Sequence, residues 1–75
     1  MTAEIKRIWS LMDKKSKEEA VETIKDSFGL TSEVAIRQNW MYAGSIPTSK
    51  EARTFLIMKE ILKKQGKRLI QISEQ

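Results

Sequence analysis

An all-α fold of four or five short helices, ending in a short strand or arm, is predicted by three features of this 75-residue chain. Apolar side chains recur three and four residues apart in several separate runs, the spacing that lines one face of a helix. Two runs open on a Ser/Thr-x-x-Glu pattern, in which hydroxyl and carboxylate satisfy each other's backbone N–H groups. The three glycines, Gly29, Gly44 and Gly66, each follow the end of a run, where helices stop.

Residues 2–12 place Ile5, Ile8, Trp9 and Met12 at i, i+3, i+4 and i+7, with Thr2 available as a cap. Asp13-Lys14-Lys15 is polar and reads as the first connection. Ser16 and Glu19 form the first capping box. Ala20, Val21, Ile24 and Phe28 make the buried stripe of the helix it opens, and Lys17, Glu18, Glu22, Lys25 and Asp26 its outer face. Gly29 then suits the φ > 0 position just past a helix end, and Leu30 folds back toward Ile24. Thr31 or Ser32 caps the next helix, roughly 32–43. At about 100° per residue, Ile36, Trp40 and Ala43 mark its core face, opposite Val34, Arg37, Gln38, Met41 and Tyr42.

Ser45-Ile46-Pro47 interrupts that helix, because Pro47 disfavours α geometry at Ile46. Thr48 and Glu51 make the second capping box, opening a helix from about 49 to 65 that Gly66 ends. Ala52, Phe55, Leu56 and Leu62 share one side of it and Ile57 and Ile61 another, with Met58 between. That arc is too wide for one helix on one small core. Residues 67–72 are β-prone, and Leu69, Ile70 and Ile72 either pair as a strand with a second chain or lie as an apolar arm. The chain divides into a helical domain, 1–66, and a C-terminal arm, 67–75.

Composition narrows function. A chain this size buries only about 60% of the surface its unfolded form exposes. With no cysteine and no histidine it has no disulfide, thiol nucleophile, Cys/His metal site or Ser-His-Asp set. Its acids are scattered and no Gly-rich phosphate loop occurs, so neither an enzyme nor a cofactor, metal or small-molecule substrate is expected. The start lacks an apolar leader, and the longest apolar run, Phe55 to Met58, is far short of a membrane span. A soluble, cytoplasmic protein is the expectation. The net charge of +4 comes entirely from residues 49–75, with seven basic and three acidic groups, whereas residues 29–48 carry only Arg37 and Glu33. A basic balance favours a polyanion as partner.

Two helices joined by about three residues with a glycine in the joint make a helix-turn-helix. Together, Glu18 to Gly29, the turn Leu30-Thr31-Ser32, the helix Val34 to Gly44 and the Gly44-Ser45-Ile46-Pro47 connection resemble the phage repressor and Cro-like helix-turn-helix family. The resemblance implies a cytoplasmic, homodimeric transcription regulator that reads double-stranded DNA in the major groove with helix 32–43. It implies base contacts from Thr31, Ser32, Arg37 and Gln38, and phosphate contacts from Ser16, Lys17, Tyr42, Ser45 and Lys50. Ile57, Ile61, Leu69, Ile70 and Ile72 are the expected dimer interface. Trp9 and Trp40 read as core residues. Lys63, Lys64, Lys67 and Arg68 complement the dipole of a helix end or else meet phosphate. The alternative is a helical protein–protein interaction module using the Val34/Met41/Tyr42 face or the Ile57/Ile61 face.

Overall fold

Four helices account for the architecture of this computed structural model, which describes residues 1–73. They are α1 (Thr2–Leu11), α2 (Lys14–Phe28), α3 and α4 (Thr48–Ser73). The third, α3, consists of one α-helical turn, Glu33–Ala35, continued by a π-helix, Ile36–Tyr42. No strand occurs among the described residues, and no helix there is long and apolar enough to cross a membrane.

A single core takes side chains from every helix. Ile5 and Trp9 come from α1; Ala20, Val21 and Ile24 from α2; Ile36, Trp40 and Met41 from α3; Met58 and Ile61 from α4. Met12 and Ile46 close it from the connections. The spine is α4, against which α1 and α2 both pack. Twenty-six residues of helix span about 39 Å, close to the molecule's longest dimension of 41 Å. The radius of gyration, 12.5 Å, exceeds the roughly 11 Å of a compact chain this long, because the end of α4 overhangs the body.

The α1–α2 corner is tighter than its sequence implies. Asp13 caps α2, its Oδ1 accepting from the Ser16 N–H at 2.8 Å. The helix therefore starts at Lys14, and Ser16 lies inside its first turn rather than opening a capping box with Glu19. The corner is latched to α4: the Asp13 N–H donates to Gln65 Oε1 at 2.8 Å, and Gln65 Nε2 donates to the Leu11 carbonyl at 3.0 Å. Arg68 pairs with the Asp13 carboxylate. Hydrogen bonding from the Ser16 N–H, aided by the Ser16 hydroxyl and Arg68, holds that carboxyl below its usual range.

The α2–α3 corner follows the sequence reading. Gly29 is left-handed, with φ 64°, and its N–H and that of Leu30 both return to the Lys25 carbonyl. Ser32 caps α3, its Oγ accepting from the Ala35 N–H at 3.1 Å. At the far end the Ala43 N–H reaches back five residues to the Gln38 carbonyl, before Gly44 turns the chain with φ 74°. A Cβ on Gly44 would lie 3.1 Å from Thr2 Cγ2. Thr2 and Glu51, each expected to cap its own helix, instead bond each other, Thr2 Oγ1 donating to Glu51 Oε1 at 3.1 Å.

The C-terminal expectation is overturned. Gly66 does not end α4; the helix continues through it, and residues 67–73 are helical rather than a strand. A lone strand leaves its backbone groups unpaired, whereas a helix satisfies them internally. Arg68, fixed to Asp13, also holds this stretch in helical register with the preceding turns. The last two positions of the arm, 74 and 75, lie outside the described residues.

Gly44→Ala will destabilise the fold by about 1–2 kcal/mol, from left-handed strain and the Thr2 contact. Gly66→Ala will stabilise it by about 0.5–1 kcal/mol, since Gly66 lies within a helix with nothing around its missing Cβ. Paired denaturant melts measure both, and opposite signs are the expected result. Because the Asp13 carboxyl is depressed in the folded state, its contribution to stability is present above the ordinary carboxylate pKa and is lost as pH falls through the folded value. The thermal midpoint of Asp13→Asn, which still caps but does not titrate, will therefore fall less than wild type on acidification from pH 5 to pH 2.

Candidate nucleic-acid interface

The wide turn in α3 decides which of its side chains face outward. With hydrogen bonds reaching five residues back, positions five apart share a face. Ile36 and Met41 are therefore both buried, Met41 to 1% exposure, and Trp40 lies between them. Reading the helix at a regular α period put Met41 outside and Ala43 inside; the structure exchanges them, and Ala43 is exposed. The outward face carries Val34, Gln38, Asn39 and Tyr42, with Val34 70% exposed. Thr31 and Ser32 are exposed at its start.

Arg37 behaves differently from its neighbours. It is half-buried, with its guanidinium 5.7 Å from the centre of the Trp9 ring. Lys17 Nζ lies 5.2 Å from the same centre. Tyr42, five residues after Arg37, meets Trp9 edge-on at 6.3 Å. The indole, buried in the core, thus carries a cation from α2 and another from α3 at the surface. The sequence reading took Trp9 as a core side chain only. Its ring partners are not visible there, because the cations Lys17 and Arg37 and the aromatic Tyr42 reach it from two other helices.

Of the remaining phosphate candidates, Ser45 and Tyr42 are exposed, and Lys50 is half-buried over the Phe28 ring at 5.5 Å. Phe28 in turn packs on Trp40, with centroids 5.9 Å apart. Ser16 must be withdrawn: it is 2% exposed and Asp13 occupies its N–H, so no surface is left for an anion. Of the expected dimer residues, Ile61 is also withdrawn, being 5% exposed within the core, and Ile57 packs half-buried against that core. Leu69, Ile70 and Ile72 are exposed together on the overhang of α4.

Electrostatics around the face are simple. Glu33, the one acid of α3, lies 3.5 Å from Lys25 and is offset by it. On α4, Lys64 pairs with Glu19 at 2.5 Å and Arg68 with Asp13, so two of its four C-terminal cations serve the fold. Among the described residues there is no group of three or more His, Cys, Asp or Glu side chains arranged to hold a metal ion. No family model, curated protein or solved structure matches this chain.

Proposed function

We propose that this chain binds double-stranded DNA sequence-specifically and regulates transcription, entering the major groove with the start of α3. The observation that carries the reading is the uncharged, hydrogen-bonding surface of Thr31, Ser32 and Gln38. Thr31 and Ser32 stand exposed at the start of α3, just after the Gly29 corner, and Gln38 is exposed midway along it. Hydroxyl and amide groups at such a position match the donors and acceptors of base edges, and exposed Val34 suits a thymine methyl. Lys17, Lys50, Tyr42 and Ser45 supply backbone contacts around them.

The overhang of α4 supplies the second half of the reading. Leu69, Ile70 and Ile72 bring two copies together as a homodimer, so that two reading helices address half-sites about 34 Å apart, one duplex turn. A helical protein-interaction module is the competing reading, favoured by one feature, the unusual exposure of Val34.

Selection from a randomised duplex pool will return a preferred sequence with two related half-sites. Gln38→Ala will relax the preference at one base pair per half-site, by about 1–3 kcal/mol, leaving the salt dependence as in wild type. Sedimentation will give a dimer that Ile72→Lys converts to monomer without loss of helicity. Binding that is sequence-blind and vanishes at moderate salt, or no binding at all, would overturn the proposal and leave the interaction module.

A further inference from the structure

Two cations converge on one ring without an acid to neutralise them. Lys17 and Arg37 both stack on Trp9, and neither forms an ion pair among the described residues. Placing like charges against the same buried indole is unfavourable unless each gains from the ring face and an anion completes the set. The arrangement is also ordered in advance. Lys17 lies in the second turn of α2, Arg37 is fixed by the wide turn of α3, and Tyr42 braces the indole edge-on. Long side chains held in this way lose less rotamer entropy on binding than free ones.

We infer that Lys17 and Arg37, carried on Trp9, form one phosphate-binding station for the DNA backbone, so that Arg37 positions the duplex and does not read a base. This rests on the DNA-binding reading and revises one of its assignments. The ligand chemistry is a phosphodiester. Its two non-bridging oxygens, which share one negative charge, can accept from a guanidinium and an ammonium approaching from neighbouring helices. Tyr42, exposed at the rim, offers its hydroxyl to the same group. A base edge needs Arg37 extended into the groove, and that extension gives up the Trp9 stack.

The test measures duplex affinity of the full chain across a salt series for wild type, Lys17→Gln, Arg37→Gln, Trp9→Phe and Trp9→Leu. Lys17→Gln and Arg37→Gln should each lower affinity and flatten the slope of log affinity against log salt, and the double variant should flatten it by about one, the share of a single phosphate, with base preference unchanged. Trp9→Phe keeps a ring and should stay near wild type, while Trp9→Leu should reproduce the loss in affinity of the cation variants. Should Trp9→Leu fail to fold, the Trp40→Phe protein leaves Trp9 as sole tryptophan, excited selectively above the tyrosine band. Its emission should shift on adding duplex, and the shift should disappear with Arg37→Gln. A change of preferred base in Arg37→Gln at unaltered salt slope would overturn the inference.

Inorganic tripolyphosphate, titrated at constant ionic strength, separates this inference from the DNA reading. If wild type binds no duplex but tripolyphosphate shifts Trp9 emission in a Lys17- and Arg37-dependent way, the anion station stands and its assignment to a DNA backbone is wrong. If neither ligand moves the emission, the station itself is refuted. Equal affinity and salt slope for an RNA duplex would likewise remove the assignment to DNA.

Discussion

Burial of Ile36, Trp40 and Met41 together is the constraint on which the rest of this molecule depends. A regular α-helix cannot turn positions 36 and 41 to the same side, since five residues at about 100° each leave them well apart. The chain adopts instead a stretch of π-helix, a rare form usually confined to single turns. Each fully buried large apolar side chain is worth roughly 1.5–3 kcal/mol, and a domain this small has few to spare. The wider turn is thus stabilised by what it buries. Its consequence is equally definite: the turn that brings Met41 inward sets Arg37 and Tyr42, also five apart, over the same indole.

Around that plug, α4 acts as the common wall. It receives both α1 and α2, and its Glu51 is bonded to Thr2 at the start of α1. Its second half is held by the Asp13 corner through Gln65 and Arg68. Beyond Arg68 no further contact of that kind occurs among the described residues, and Leu69, Ile70 and Ile72 are exposed. Local stability should therefore decline from Met58 outward, since buried contacts, not helical propensity, hold a helix of this kind.

What was legible in the sequence was local. The α2 stripe of Ala20, Val21, Ile24 and half-buried Phe28, the helix-ending glycines at 29 and 44, and a cap from Thr31 or Ser32 all depend on residues within one or two turns, and all are found, with Ser32 as the cap. The misreadings share another origin. Met41 and Ala43 were exchanged because the period of α3 is set by the core and not by α3 itself. Ser16 was taken as a cap because its pattern with Glu19 is correct, yet Asp13 was already anchored to Gln65, fifty-two residues away. Ile61 looked surplus on a wide apolar arc until α1 and α2 were both found against α4. Gly66 resembled an end because glycine usually is one, and the latch at residues 65 and 68 carries the helix past it.

The sparse charge of residues 29–48 looks at first like an objection to DNA binding, since such surfaces are commonly rich in Lys and Arg. The proposed reading answers it by separating two tasks. Long-range attraction depends on net charge, and the remaining cations of α2 and α4 supply it wherever their partners do not consume it. Reading a base depends on short, well-directed donors and acceptors, for which Thr31, Ser32 and Gln38 suffice. Under the proposed reading, lysines on α3 would add affinity for every sequence alike and so dilute discrimination. A single arginine there, drawn aside onto Trp9, fits the division that the proposed reading makes between charge and base reading. The one acid of α3, Glu33, is likewise offset by Lys25.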